Sequence, residues 1–254
     1  MKLHDRQIHH FHSKGFILIP NPLGDEVMNE LTKIQKLIEP EWEKLSFPPG
    51  VNDLACQMLM GGEPVLRMVE NESLLSHAKQ IMDCDRVEVA AFGMGQTIKT
   101  VGKDKNQVAW HADDFGSVKQ VAVRIAIDPH EGENAPLRMI PSSHLREREE
   151  VHEELLELEL AGAPNQIPPE KLYVHHPQET SINLDPRLAL LWTPNCWHST
   201  HQKTSAGPRR VITWHYFAPG FSNPFQNAVL HMLEGEWQNW PQARQELWGL
   251  PPKE

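Results

Sequence analysis

No stretch of this 254-residue chain approaches eighteen consecutive apolar residues, which leaves no candidate for a helical membrane span. The opening Met1-Lys2-Leu3-His4-Asp5 continues polar and has no apolar signal-peptide core, so a cytoplasmic protein without a membrane partner is expected. Basic residues are in deficit, 24 Lys and Arg against 34 Asp and Glu, for a formal net charge of −10. They gather into no stripe, and sequence-independent nucleic-acid binding depends on such a cationic surface, so no nucleic-acid partner is expected. The three cysteines, Cys56, Cys84 and Cys196, lack CxxC spacing, which argues against a disulfide framework or a structural zinc. Cys196, two residues before His198, reads as a small packed side chain. Neither an internal repeat nor an interdomain linker is visible.

What is present is an ordinary globular composition, 39% hydrophobic and 23% charged, at a length that suits one domain with insertions. Residues 1–254 read as a single unit with four parts. They are a helical N-terminal part (about 1–84), a β-rich core (about 85–218), an insert helix (about 145–160) and a C-terminal helix (about 226–248). A short helix over Asp5–Ser13 precedes the apolar strand Gly15–Pro20. Val27, Leu31, Ile34 and Ile38 recur at helical spacing between Gly24 and Trp42. Residues 45–64, rich in Pro and Gly, read as loop with a short apolar element, and Glu72–Met82 as a further helix. Strands are expected at 87–92, 96–100, 108–113, 118–128, 137–140, 172–174, 189–192 and 210–216. The clearest alternates Val121, Val123, Ile125 and Ile127. Leu145–Leu160 carries seven glutamates and two arginines, which reads as a solvated helix face or as a lid over a site. The Trp-rich C-terminal stretch is expected to break at Pro241. Many short strands framed by helices point to a closed or double-sheet β fold.

The chemistry concentrates in three places. The chain reads Trp110-His111-Ala112-Asp113, then far downstream Trp197-His198, and eleven positions beyond His198 stands Arg209. In an extended segment residues two apart share a side, so His111 and Asp113 can reach one metal. A distant His completes the 2-His-1-carboxylate face of non-haem iron, which leaves positions open for a bidentate co-substrate and dioxygen. Arg209 offers a fixed guanidinium for a carboxylate. His201 competes with His198 as distal ligand, but lies an odd number of residues away and would face the other side of a strand. Asp114 and Arg210 are likewise wrong-facing neighbours of Asp113 and Arg209. Of the other histidines, His9, His10 and His12 read as exposed, His175 and His176 as surface or supporting residues, and His215 as a core histidine. Trp110, Trp214 and Phe92 are candidate substrate contacts, for which plain packing is an equal reading.

These residues resemble the phytanoyl-CoA dioxygenase family of iron(II)/2-oxoglutarate oxygenases. The resemblance runs from the N-terminal helix to about Tyr216. It rests on Trp110–Asp113, on Ala126-Ile127-Asp128 and on Asn134-Ala135-Pro136-Leu137-Arg138-Met139-Ile140-Pro141-Ser142-Ser143-His144. In the last stretch Ala135 and Ser142 stand where the family usually has glycine. The resemblance implies a mainly β fold with flanking helices, a double-stranded β-helix (distorted jelly roll, cupin-like) with iron in its mouth. It carries the metal ligands onto His111, Asp113 and His198, and 2-oxoglutarate onto Arg209 with Thr200 assisting. Gln96 matches a position beside the co-substrate, Lys99 a nearby basic position, and Arg124 stands where the family often has Trp. The carboxylate of Asp113 favours oxygenation over halogenation, with hydroxylation of a small-molecule metabolite or natural-product intermediate as the expected outcome. Desaturation, epoxidation and demethylation stay open, as does a monomer or homodimer. Two other readings are a non-catalytic metal-binding jelly-roll sensor and a cupin-type metalloenzyme that uses no keto acid.

Overall fold

The computed structural model describes residues 2–42, 44, 53–96, 109–113, 119–161, 171, 173–220 and 226–250. The N-terminal part is helical apart from one strand. Helix α1 (Asp5–Lys14) leads into β1 (Phe16–Pro20), followed by α2 (Gly24–Trp42), α3 (Asp53–Leu59), α4 (Glu63–Val69) and α5 (Glu72–Met82). The expected loop over 45–64 thus holds α3 and the start of α4. Gly61, Gly62 and Pro64 disguise them, yet a proline in the first helical turn costs no hydrogen bond, and Gly62 caps that turn. Helix α5 starts where the Asn71 side chain accepts from the backbone N–H groups of Ser73 and Leu74. No helix among the described residues is long and apolar enough to cross a membrane.

The β part continues with β2 (Glu88–Gln96), β3 (Gln120–Ala126), β4 (Leu137–Met139), β5 (Thr180–Ile182), β6 (Leu188–Trp192), β7 (His198–Thr200) and β8 (Arg210–Phe217). Five strands form one sheet in the order β1-β6-β3-β8-β2, and three form a second in the order β5-β4-β7. All pairings are antiparallel. The period-2 pleat sorts the large sheet into two faces. Val121, Val123 and Ile125 of β3, with Ile212, Trp214 and Tyr216 of β8, pack against Leu31, Met58, Met68 and Leu74 of the helices. Ala122, Ala126, Leu190 and Trp192 turn the other way and meet Leu137 and Met139 of the small sheet. This is the double-stranded β-helix expected from the sequence, with helices covering one face of the large sheet.

Some elements differ from expectation. The described residues 109–113 are extended but joined to the sheet by a single bridge, His111 to His198, and not by a ladder. Residues 172–174 form no strand where they are described, because the Val174 N–H closes a turn onto the Lys171 carbonyl. Strand β5 has no apolar alternation to announce it. The insert helix, α6 (Arg148–Glu157), is shorter than expected. It buries Val151 and Leu155 on Trp110, Ala112, Ile140 and Trp197 while most of its glutamates face water. The C-terminal stretch is α7 (Gln226–Leu233), a 3-10 turn and α8 (Gln242–Leu247), with Pro241 at the head of α8. Trp237 and Trp248 pack into the helix-side core.

Gly15 ends α1 with φ +91°, and its N–H closes on the Phe11 carbonyl. A Cβ there would lie 2.8 Å from both Cys196 Sγ and His144 Nδ1, so the turn from α1 into β1 needs both the conformational freedom and the missing side chain. Gly15→Ala should cost at least about 2 kcal/mol, from the left-handed backbone and overpacking together. Urea unfolding measures it, and a cost under about 0.5 kcal/mol would contradict this packing.

Candidate metal centre

The extended segment through His111 and strand β7 lie side by side. The His111 N–H donates to the His198 carbonyl (3.0 Å) and the His198 N–H to the His111 carbonyl (2.8 Å). Residues exchanging both bonds in an antiparallel pair stand directly opposite and project to the same side. The two imidazole centroids are accordingly 4.2 Å apart. Asp113, two residues on, returns to that side, with its N–H fixed on the Pro194 carbonyl at 3.0 Å. His111 Nε2 and His198 Nε2 each lie 4.0 Å from a carboxylate oxygen of Asp113. One ligand atom from each of the three lies within 4.8 Å of the others, a set able to bind iron.

Both imidazoles are held in the tautomer a metal needs. His111 Nδ1 is 2.8 Å from the Ala109 carbonyl and His198 Nδ1 is 2.9 Å from the Cys196 carbonyl. A carbonyl accepts, so Nδ1 carries the proton and Nε2 keeps its lone pair for the ion. Burial, and then the neighbouring His111, hold His198 well below the usual imidazole range, which keeps it neutral. The residues between the ligands point away. Trp110 and Ala112 pack under α6 with Trp197, and Arg138 lies 4.8 Å over the Trp110 ring. Trp192 stands edge-on to His198 on one side and to His215 on the other, with centroids 6.2 and 6.1 Å away.

Next to the triad, positive charge accumulates. Arg124 extends from the sheet-facing side of β3, the only strand residue of that element not fully buried. Burial lowers its pKa to about 10 although Asp113 opposes the shift. Its Nε is buried with no hydrogen-bond partner among the described residues. Arg209 is 2% exposed and its Nε donates to the Ala135 carbonyl at 2.7 Å. Burial, and then the charge of Arg124, push Arg209 well below the ordinary guanidinium range. Guanidinium groups do not release their proton in proteins, so two neighbouring cations beside the triad suit an anionic ligand. A small dicarboxylate such as 2-oxoglutarate fits that charge, and the triad's two imidazoles and carboxylate fit iron(II).

The structure brings together His111, Asp113, His198, Arg124 and Arg209. Thr200, two residues after His198 on β7, pairs with Leu137 in register. Gln96 ends β2 opposite Arg210 in register. Its side chain and that of Phe92 lie outside the described residues, as do Lys99 and Asp114. Trp110 and Trp214 are not brought to the triad: one packs under α6, the other in the helix-side core. Arg210 faces away and forms a two-pronged ion pair with Asp128, at 2.7 and 2.8 Å. Cys196 is buried, with its thiol pushed up to about 11 by burial, and is chemically inert packing.

No sequence motif points to His130. It is fully buried and its Nε2 meets the Arg210 carbonyl at 3.1 Å. Burial, and then Arg209 and Arg124, depress its basicity strongly, so it stands neutral beside both cations and donates through Nε2. The backbone explains one departure from the family stretch. Ala135 (φ +52°) and Ser142 (φ +68°) occupy the left-handed region at the two positions where glycine is usual. Such a conformation costs about 1–2 kcal/mol for a residue with a Cβ. At Ala135 it turns the carbonyl that holds Arg209.

His215 makes the site acid-sensitive. Burial, and then the nearby His198, bring its pKa down to about 4, with Asp113 opposing. Below the unfolded value near 6.5 the unfolded chain takes up a proton that the folded chain refuses, so stability is full above that pH and falls between about 6.5 and 4. His215 alone accounts for a loss of about 3 kcal/mol across that window. In the metal-free protein, His215→Gln should flatten the urea-midpoint profile between pH 6.5 and 4. An unchanged slope would contradict the assignment.

Comparison with known proteins gives the family from one finding and the fold from another. A family model described as Phytanoyl-CoA dioxygenase (PhyH) matches residues 11–211. No curated protein sequence matches the chain. Solved structures similar to it include AviO1 from Streptomyces viridochromogenes Tue57, 14% identical with a TM-score of 0.59 over 87% of this chain and 97% of that one. EctD from S. alaskensis, solved with 2-oxoglutarate and 5-hydroxyectoine, is 15% identical with a TM-score of 0.60 over 88% and 79%. SnoK, a non-heme alpha ketoglutarate dependent carbocyclase from nogalamycin biosynthesis, is 12% identical with a TM-score of 0.57 over 85% and 84%. At these identities the structural likeness speaks for the fold.

Proposed function

The chain belongs to the phytanoyl-CoA dioxygenase family of non-haem iron, 2-oxoglutarate-dependent oxygenases, and we propose that it hydroxylates a small-molecule metabolite or natural-product intermediate in the cytoplasm. The observation that carries this reading is the convergence of a two-histidine, one-carboxylate set with Arg124 and the buried Arg209. His111 and His198 would hold iron(II) through Nε2, and Asp113 through its carboxylate. Bound there, iron and 2-oxoglutarate supply the activation of dioxygen, with the keto acid ending as succinate and carbon dioxide.

The chain's own residues orient and shield. Arg209, fixed through the Ala135 carbonyl, would anchor the far carboxylate of the keto acid. Arg124, electrostatically coupled to both Asp113 and Arg209, would balance the second carboxylate. The two arginines beside the triad support the keto-acid reading over a metalloenzyme that uses none. The Ala109 and Cys196 carbonyls hold Nδ1 of each imidazole and aim Nε2 at the ion's position. Trp192 closes the space behind His198, and Val151 and Leu155 of α6 hold the Trp110 segment from outside. Asp113 would occupy the position a halide would need, so oxygenation is the proposed outcome. The whole chain is proposed to act as one oxygenase unit, as a monomer or homodimer. EctD and SnoK are proteins whose names attach to small molecules, and a small-molecule substrate is proposed here by analogy.

The test is succinate formation with purified, iron-loaded protein against a panel of small metabolites. His111→Ala and His198→Ala should each lose iron and reduce turnover to background, because losing one of three ligands opens the site. Arg209→Lys should raise the apparent 2-oxoglutarate requirement about 10–100-fold, since a point charge replaces a two-pronged donor. Wild-type levels of iron and succinate in either histidine variant would remove that residue from the triad. An unchanged 2-oxoglutarate requirement in Arg209→Lys would move the anchor elsewhere.

A further inference from the structure

A second set of ligating side chains meets at the small sheet, apart from the triad. His175 and Glu179 come from the turn before β5, and His201 directly follows β7. One ligand atom from each of these three lies within 4.8 Å of the others. Glu179 Oε1 sits 2.5 Å from His175 Nδ1 and 3.7 Å from His201 Nε2, and the two imidazole centroids are 5.2 Å apart. We propose that His175, Glu179 and His201 form a second divalent-metal site of the zinc class, with a coordination position left open beside the cavity that His201 borders.

Three features favour a built site over a chance hydrogen-bond cluster. The first is that Glu179 is aimed. Its Oε2 accepts the His176 backbone N–H at 3.0 Å and faces Arg138 Nη1 at 3.5 Å, so Oε1 is left to the two imidazoles. Outer contacts of that kind orient metal ligands. The second is that His201, its side chain only 17% exposed, presents Nε2 to Glu179 Oε1. Its Nε2 lies 2.8 Å from Ser181 Oγ, a hydroxyl that can rotate away when the lone pair is taken by an ion. The third is adaptability. Zinc bonds of about 2.0–2.2 Å at tetrahedral angles set ligand atoms about 3.3–3.5 Å apart. The His201 separation already suits this, and the His175 contact must widen by about 1 Å. The His175 side chain is 73% exposed and free to make that turn.

Two imidazoles and one carboxylate are a nitrogen-rich set, which selects zinc-like ions over magnesium or calcium. Three protein ligands leave a fourth position for water. His201 and Ser181 also line an open cavity of about 550 Å³ with Tyr173 and Asn183. Strand β7 thus serves both faces of its sheet. His198 points to the triad, and the chain after Thr200 carries His201 to the outside, as the odd spacing required.

The test is zinc titration of the metal-free full-length chain against a chromophoric chelator, with the triad variant as a separate arm. Wild type should bind two equivalents, and His111→Ala should lose one and keep the other. His175→Ala should keep the triad's equivalent and weaken the second at least 10–100-fold, the range even an outer contact commands. Ser181→Ala should retain the second equivalent. Thermal unfolding of metal-free His175→Ala, unchanged for so exposed a side chain, separates ligand loss from misfolding. A single equivalent in wild type, lost in His111→Ala, would overturn the second site and leave the triad intact. Two equivalents in His175→Ala at wild-type affinity would overturn it as well.

Discussion

The reciprocal backbone pair between His111 and His198 is the contact on which the site depends. Two hydrogen bonds, at 3.0 and 2.8 Å, bring together segments far apart in sequence and fix which side each ligand faces. From that register the rest follows in steps of two: Asp113 returns beside His111, while Trp110 and Ala112 turn outward under α6. Slipping either segment by one residue would send a ligand outward and a tryptophan inward. The neighbourhood is accordingly pinned at several points. The Trp197 N–H donates to Ser143 Oγ, the Ile140 N–H to the Trp197 carbonyl, and the Asp113 N–H to the Pro194 carbonyl.

Electrostatics then selects what the site accepts. Burial disfavours protonation of His198, and the arginines remain cationic because guanidinium groups do not let go of their proton. Arg124 and Arg209 repel one another, and the proposed dicarboxylate would relieve both. A site strained in that way is under-stabilised until its ligand arrives, which is a common division between stability and function. The left-handed Ala135 belongs to the same pattern, since its carbonyl holds the Arg209 guanidinium in place.

The large elements were legible in the sequence because their patterns are local. The 3.6-residue spacing of α2 and the alternation of Val121, Val123 and Ile125 each report one buried face. The triad was legible because His-x-Asp and a distant His with a following Arg obey a simple side-sharing rule. Other features depended on tertiary contacts that leave no local trace. Helices α3 and α4 hid behind two glycines and a proline that mark a helix start. Strand β5 is three residues, two of them exposed, and gains its identity from pairing with β4. His130 carries no motif, and only the folding of β8 against it sets it beside the arginines. Trp110 and Trp214 looked equally suited to a pocket or to packing, and the parity of their segments decided for packing. Glu179, which gathers His175 and His201, drew no notice because its partners come from two segments joined only in the fold.

The most direct measurement of the central claim is anaerobic titration of iron(II)-loaded protein with 2-oxoglutarate, following the weak visible charge-transfer band of a keto acid chelated to iron(II). The account predicts a band that saturates in the wild-type chain and disappears in Arg209→Ala at the same keto-acid concentration. Iron bound without any band, or a band indifferent to Arg209→Ala, would contradict it.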